Sequence, residues 1–129
     1  MQVETTLNPT EDLEKVSRAL RNLFPKANLI ASTIDPRASK LKATMKGLDG
    51  LENLKAMLRQ AAIRDAARKL LLRSISGSTI VVNFNKQAAF AGRVSFCERY
   101  DESPLGPITL RIKSENPEAI VDWVAPRSR

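Results

Sequence analysis

The side chains in this chain best suited to chemistry are its cations. Arg37, Lys40, Lys42 and Lys46 lie in a run from Pro36 to Leu48 that contains no acid. If that run is extended, Lys40, Lys42 and Lys46 share one face, about 6.6 Å apart for every two residues. Phosphates along one nucleic-acid strand repeat on a comparable scale, so the row could track a backbone and release its condensed counterions. The same row also fits an edge strand that lysines guard against aggregation. A second group, Arg59, Arg64, Arg68, Lys69 and Arg73, is balanced in sequence by Asp65 alone. On a helix Asp65 can pair with Lys69 four residues on, while Arg64 and Arg68 repel mildly. This face either meets a polyanion or is simply solvated. A third candidate is Asn85-Lys86-Gln87-Ala88-Ala89, which joins two amides and a cation to two small residues, with Arg93 just beyond. A plain chain reversal would more often use Gly, Pro or Asp. The segment is therefore expected to carry function, with Lys86 and Gln87 contacting phosphate or sugar. The competing account makes it an ordinary connector, bonded to buried backbone.

What is missing narrows the chemistry further. The 129 residues contain no histidine and one cysteine, Cys97. That removes the commonest general base, every histidine-based triad and any ordinary zinc site. No internal disulfide can form, which fits a reducing, cytoplasmic setting. Glu118 and Asp122 are one helical turn apart and could hold a metal weakly, but Glu118 also suits a helix N-terminus. The glycines are isolated, so no phosphate-binding loop is present. No metal and no cofactor are expected. The net charge is +7, which favours polyanions but also serves solubility. No apolar run is long enough for a membrane span, and Met1-Gln2-Val3-Glu4 does not open a signal peptide.

These groups need elements to hold them. Gln2–Leu7 reads as a strand with Val3, Thr5 and Leu7 on one face. Asn8 or Thr10 is expected to cap a helix carrying Leu13, Val16, Leu20, Leu23 and Phe24, which Pro25 ends. Asn28–Thr33 reads as a second strand and Asp35-Pro36 as a turn. Leu41–Lys46 follows as a third strand, with Leu41, Ala43 and Met45 inward. Asp49 is a plausible cap for a helix from about Leu51 to Gln60. A further helix spans about Ala62 to Ile75, with Ile63, Ala66, Ala67, Leu70 and Leu71 toward the core; the two could form one kinked helix. Thr79–Asn85 and Arg93–Glu98 read as strands, and Tyr100–Pro107 as a loop. A final strand carries Ile108, Leu110 and Ile112. Asn116-Pro117 then caps a last helix with Trp123 as a core anchor. The order is β-α-β-β-α-α-β-β-β-α, one α+β domain over 1–129, with a mostly antiparallel sheet covered by helices on one face. Phe90 to Phe96 is a poor match to the RNA-recognition strand motif, and Phe96 is better placed in the core.

Taken together, Glu11-Asp12 with Leu23-Phe24-Pro25, the NKQAA segment at 85–89, Pro104-Leu105-Gly106-Pro107-Ile108 and Asp122-Trp123-Val124-Ala125-Pro126 resemble an archaeal uncharacterised-protein (UPF) family. That family is labelled RNA-binding or exosome-associated. The resemblance covers nearly the whole chain and implies an α+β fold similar to the ribosomal protein that holds the 5S RNA. It also implies an archaeal, cytoplasmic protein, and no catalytic residues. The expected function is non-catalytic RNA binding or service in an RNA-processing complex. The residues expected to carry it are Lys86, Gln87, Arg93, Lys40, Lys42, Lys46, Arg64 and Arg68. One alternative is a protein-interaction subunit whose basic patch meets an acidic partner. The oligomeric state is left open, a homodimer included. Another is an enzyme with Lys86 and Asp101 or Glu102 in a deep pocket.

Overall fold

The computed structural model describes residues 1–7, 11–35, 38–97 and 106–127, with side chains described for all of these except 7, 29–35 and 38–40. Along the chain run β1 (Gln2–Leu7), α1 (Leu13–Leu23), β2 (Asn28–Asp35) and β3 (Ala38–Thr44). A 3-10 turn (Leu48–Leu51) leads into α2 (Glu52–Gln60) and α3 (Arg64–Arg73). Then come β4 (Ile75–Ser76), β5 (Thr79–Phe84), α4 (Lys86–Phe90), β6 (Phe96–Cys97), β7 (Ile108–Lys113) and α5 (Pro117–Val124). The strands form one sheet in the order β2-β3-β1-β7-β5-β4, with β6 also paired to β5. Every pairing is antiparallel.

Two-residue alternation sets the faces. Val3, Leu41, Ala43, Ile80, Val82, Phe84, Ile108, Leu110 and Ile112 join Leu20, Leu23, Leu54, Leu58, Leu71 and Val121 of the helices in one core. Among the described residues the helices therefore cover one side of the sheet and none lies on the other, as the pattern of alternation predicts. Phe24 meets Phe84 edge-on, with centroids 5.8 Å apart, and Phe84 also packs on Phe96.

Several local expectations change. Asp12 caps α1, its Oδ1 accepting from Glu14 N at 3.0 Å; Asn8 and Thr10 lie outside the described residues. Leu13, expected in the core, is exposed because the helix begins only there. Asp49 caps nothing, since a 3-10 turn precedes α2. Helices α2 and α3 are separate: Ala62 adopts φ +57°, a left-handed turn that breaks the helical path. Ala66 then faces solvent. Arg93 lies in a loop and not on a strand, because β6 is confined to Phe96–Cys97. Ser76-Gly77-Ser78-Thr79 is a tight hairpin, with Gly77 at φ +61°.

The end of α1 shows how polar groups hold the helical layer together. Asn53, in the first turn of α2, donates through Nδ2 to Asn22 O at 2.8 Å and Leu23 O at 3.1 Å. These are last-turn carbonyls with no partner within their own helix. Removing the amide leaves them partly buried and unbonded. Asn53→Ala is thus expected to destabilise the protein by about 1–3 kcal/mol. Urea unfolding should show a lower midpoint at an unchanged slope.

Candidate functional site

Strands β1 and β5 both flank β7 and run antiparallel to it, so they point the same way. Helices α1 and α4 consequently leave the same end of the sheet. Asn85 caps α4, accepting from Ala88 N through Oδ1 at 2.9 Å. The segment expected as a connector is therefore a capped helical turn, and its first helical residue is Lys86. Ala89 is fully buried, and its carbonyl accepts from Asn22 Nδ2 of α1 at 2.8 Å. Small side chains let α1 and α4 approach closely.

Lys86 is only 2% exposed. Its ammonium donates to Thr6 O at 2.6 Å and to both oxygens of Glu11, at 3.1 and 3.3 Å. Among the described residues, Lys86 thus gives its ammonium donors to one carbonyl and one carboxylate. The expectation of a mobile cation touching phosphate is corrected: Lys86 ties the end of β1 to the approach to α1 and the start of α4. Burial holds its pKa below the ordinary 10.5, although Glu11 pulls it the other way by hydrogen bond and charge.

Beside this clasp lies a cavity of about 500 Å³, lined by Glu11, Asp12, Lys15, Val16, Lys86, Gln87, Phe90 and Ala91. Gln87 is exposed at its wall. A cavity thus lies beside Lys86, where the enzyme alternative asks for a deep pocket, but the lysine's donors are engaged. Asp101 and Glu102 lie outside the described residues. Among the described residues, no cluster of acids and cysteine could hold a metal ion.

The open face of the sheet is different in character. Lys42, Thr44, Arg111 and Lys113 are exposed on it, and Lys46 is exposed just beyond β3. Register sets Lys42 and Thr109 on either side of Glu4, and Thr109 beside Asn83. Glu4 pairs with Arg111 at 3.4 Å, and Thr109 Oγ1 donates to Asn83 Oδ1 at 2.7 Å. A depression of about 170 Å³ lies among Glu4, Thr6, Asn83, Thr109 and Arg111. Because β3 sits between β2 and β1, its lysines do not guard an edge. Lys40 is opposite Thr6 in register, and its side chain is outside the described set.

The residues expected to contact RNA lie on different parts of the molecule. Arg68 bonds Asp122 at 2.7 Å and donates to Ala125 O at 3.1 Å, pinning α3 to α5. That bond also engages the carboxylate expected to join Glu118 at a weak metal site. Arg64 is half-buried at the start of α3, in the helical layer. Arg93 is exposed beyond α4. Sequence reasoning missed Arg111 and Lys113 as open-face cations, although their alternation with Leu110 and Ile112 was the available signal. It also missed Glu11 and Asp12 as pocket residues, because nothing local links them to Lys86.

Fold and surface together define a class: an α+β domain with helices on one face of an antiparallel sheet and a polar, cation-bearing face left open. The chain belongs to the UPF0201 family of archaeal proteins. A family model described as RNA binding matches residues 1–114. A UPF0201 protein of Sulfolobus acidocaldarius is 40% identical over 126 residues, 98% of this chain and 86% of that protein. One from Thermococcus kodakarensis is 40% identical over 129 residues, 100% of this chain and 91% of its own length. The crystal structure of the Methanococcus jannaschii UPF0201 protein matches with a TM-score of 0.85 and 32% identity, over 99% of this chain and 93% of that one.

Two measurements probe the clasp. Lys86→Met leaves the Glu11 carboxylate without its cation, and a loss of about 3–5 kcal/mol is expected. Adding Glu11→Gln should restore much of it, read as a coupling energy from urea unfolding of both single variants and the double variant. The pH dependence has a definite sign. Between the lowered folded pKa and 10.5, the unfolded chain holds a proton on Lys86 that the folded chain has lost. Wild-type stability should therefore rise with pH through that window relative to the double variant. A flat difference would show that burial does not disfavour the charged amine.

Proposed function

We propose that this protein binds RNA without catalysis and that the open face of its sheet meets the phosphate backbone. The observation that supports this reading most is the distribution of side chains on that face. Lys42, Arg111 and Lys113, with Lys46 beyond the strand, stand among threonines, Asn83 and Gln2, with Glu4 the acid among them. Cations supply attraction through counterion release, and hydroxyls and amides supply hydrogen bonds to phosphate and ribose. The described open-face residues include no aromatic ring. Base stacking on the sheet is therefore not part of this reading, and contact there is backbone-directed and tolerant of sequence. The family model's description as RNA binding supports the same class of ligand. Gln87 and Arg93 extend the contact at the end of the sheet, and Arg64 offers a cation in the helical layer.

A charge-reversal pair tests it. Lys42→Glu with Lys113→Glu should lower affinity for single-stranded RNA at least tenfold at low salt. Every phosphate that is no longer neutralised should reduce the slope of log affinity against log salt by about 0.7. Fluorescence anisotropy across a salt series measures both. Reversing Lys69, exposed in the helical layer, should change the slope less. RNA affinity that ignores the open-face pair would remove the sheet from the interface. If instead an acidic protein co-purified through nuclease treatment and was absent from the same variant, the face would serve a protein partner.

A further inference from the structure

The cavity beside the Lys86 clasp has two walls built by helical spacing. Asp12, Lys15 and Val16 come from α1 and its cap, while Gln87, Phe90 and Ala91 come from α4 and its end. Each set follows the i, i+3, i+4 pattern that brings side chains to one helix face. Its volume of about 500 Å³ falls within the roughly 300–1,000 Å³ of small-ligand pockets. Phe90 is 38% exposed and presents an uncovered aromatic surface there. Among the described residues Gln87 and Lys15 make no side-chain hydrogen bond, and Asp12 uses only Oδ1. An aromatic surface, a carboxylate oxygen, an amide and an ammonium thus surround one space.

We propose that this pocket takes an unpaired guanine base of an RNA strand; the inference rests on the RNA-binding reading and adds a base preference to it. The chemistry separates the candidates. A carboxylate only accepts hydrogen bonds. Guanine presents two adjacent donors, N1–H and the N2 amino group, which one carboxylate can take together; Asp12 supplies it, with Oδ2 free and Oδ1 accepting a second bond beside the one from Glu14 N. Guanine O6 is an acceptor that the Gln87 amide or the Lys15 ammonium can meet. Adenine, cytosine and uracil lack that adjacent donor pair. Phe90 offers a ring for the base to stack on, as unpaired RNA bases do on protein aromatics. Phosphate groups are less well served inside the cavity, because Lys86 is already held by Glu11 and the Thr6 carbonyl, and the carboxylates of Glu11 and Asp12 share the wall with Lys15. The location fits as well. Residue 40 is opposite Thr6, and the row of residues 46, 42 and 40 runs along β3 toward the sheet end where the pocket opens. A strand tracking that row arrives beside it.

The test uses the full chain with a uridine decamer and the same decamer carrying one guanosine, one adenosine or one cytidine. The guanosine oligomer should bind about tenfold tighter than the others, the discrimination of one good bidentate pair. Asp12→Asn, which keeps a capping side chain, and Phe90→Ala should each abolish that preference and leave affinity for the plain uridine decamer within twofold. Gln87→Ala, at an exposed position, should also reduce the guanosine preference. Lys42→Glu with Lys113→Glu should weaken all four oligomers alike. If wild type binds the four equally, the pocket assignment is overturned and backbone binding stands. If guanosine monophosphate binds the pocket while no oligomer binds, the strand assignment is overturned together with the RNA reading. If neither binds, both fall.

Discussion

The fold turns on one buried cation. Lys86 joins three segments that are far apart in sequence: the end of β1 through the Thr6 carbonyl, the approach to α1 through Glu11, and the start of α4 on which it sits. A lysine buried this deeply is costly unless its charge and donors are met. The requirement works in reverse as a constraint on geometry. Thr6, Glu11 and residue 86 must occupy one small volume, so β1 and β5 must end level and α1 and α4 must start side by side. The close α1–α4 contact over Ala89 and the bond from Asn22 follow from that placement. The cavity lies beside the clasp, between the first turns of α1 and the length of α4.

The second consequence concerns the sheet. With α1 and α4 anchored at one end and α2, α3 and α5 packed over the same side, no described helix covers the opposite face. An antiparallel sheet can leave one face in water if alternate residues are polar. Here most of the described ones are, from Gln2 and Glu4 across Lys42 and Thr109 to Asn83 and Arg111, with the apolar Val81 among them. The ion pair between Glu4 and Arg111 and the bond between Thr109 and Asn83 order the centre of this surface. They leave Lys42 and Lys113 at its flanks. A face of this kind costs nothing in core packing and is free to be shaped by a ligand.

Much of the fold was legible from pattern alone. Alternation located β1, β3, β5 and β7 and assigned their inward residues, because a residue's face depends only on its neighbours along the strand. The helical stripes and the Asn116-Pro117 cap were equally local. The misplaced elements share a cause. Asn85-Lys86-Gln87-Ala88-Ala89 was expected as a connector because a five-residue helix is too short to show a period. Its cap, Asn85 to Ala88, was the local signal that went unread. The break between α2 and α3 depends on a left-handed alanine, a conformation that alanine does not announce. The site was less legible than the fold. Lys86 looked like a surface cation since its partners lie 75 and 80 positions away. Arg68 looked free for the same reason, its partners being at α5 and its end.

That distinction changes what the net charge of +7 means. A formal count treats every cation as available to a polyanion, but Lys86 and Arg68 are committed inside the molecule, and Arg111 shares Glu4. Their removal from the count leaves exposed, uncommitted cations in distinct places, among them Lys42, Lys46 and Lys113 around the open face, Lys69 on α3, and Lys15 and Arg93 near the α1–α4 end. Counterion release scales with the phosphates that are neutralised, not with total charge. The salt dependence of a complex formed on one face should therefore be shallower than the composition suggests. The same partition explains why sequence clustering was a poor guide to the interface. Cations adjacent along a helix can be held by different neighbours, while Lys42 and Lys113, far apart in the chain, come to one surface because β1 alone separates β3 from β7 in the order of the sheet.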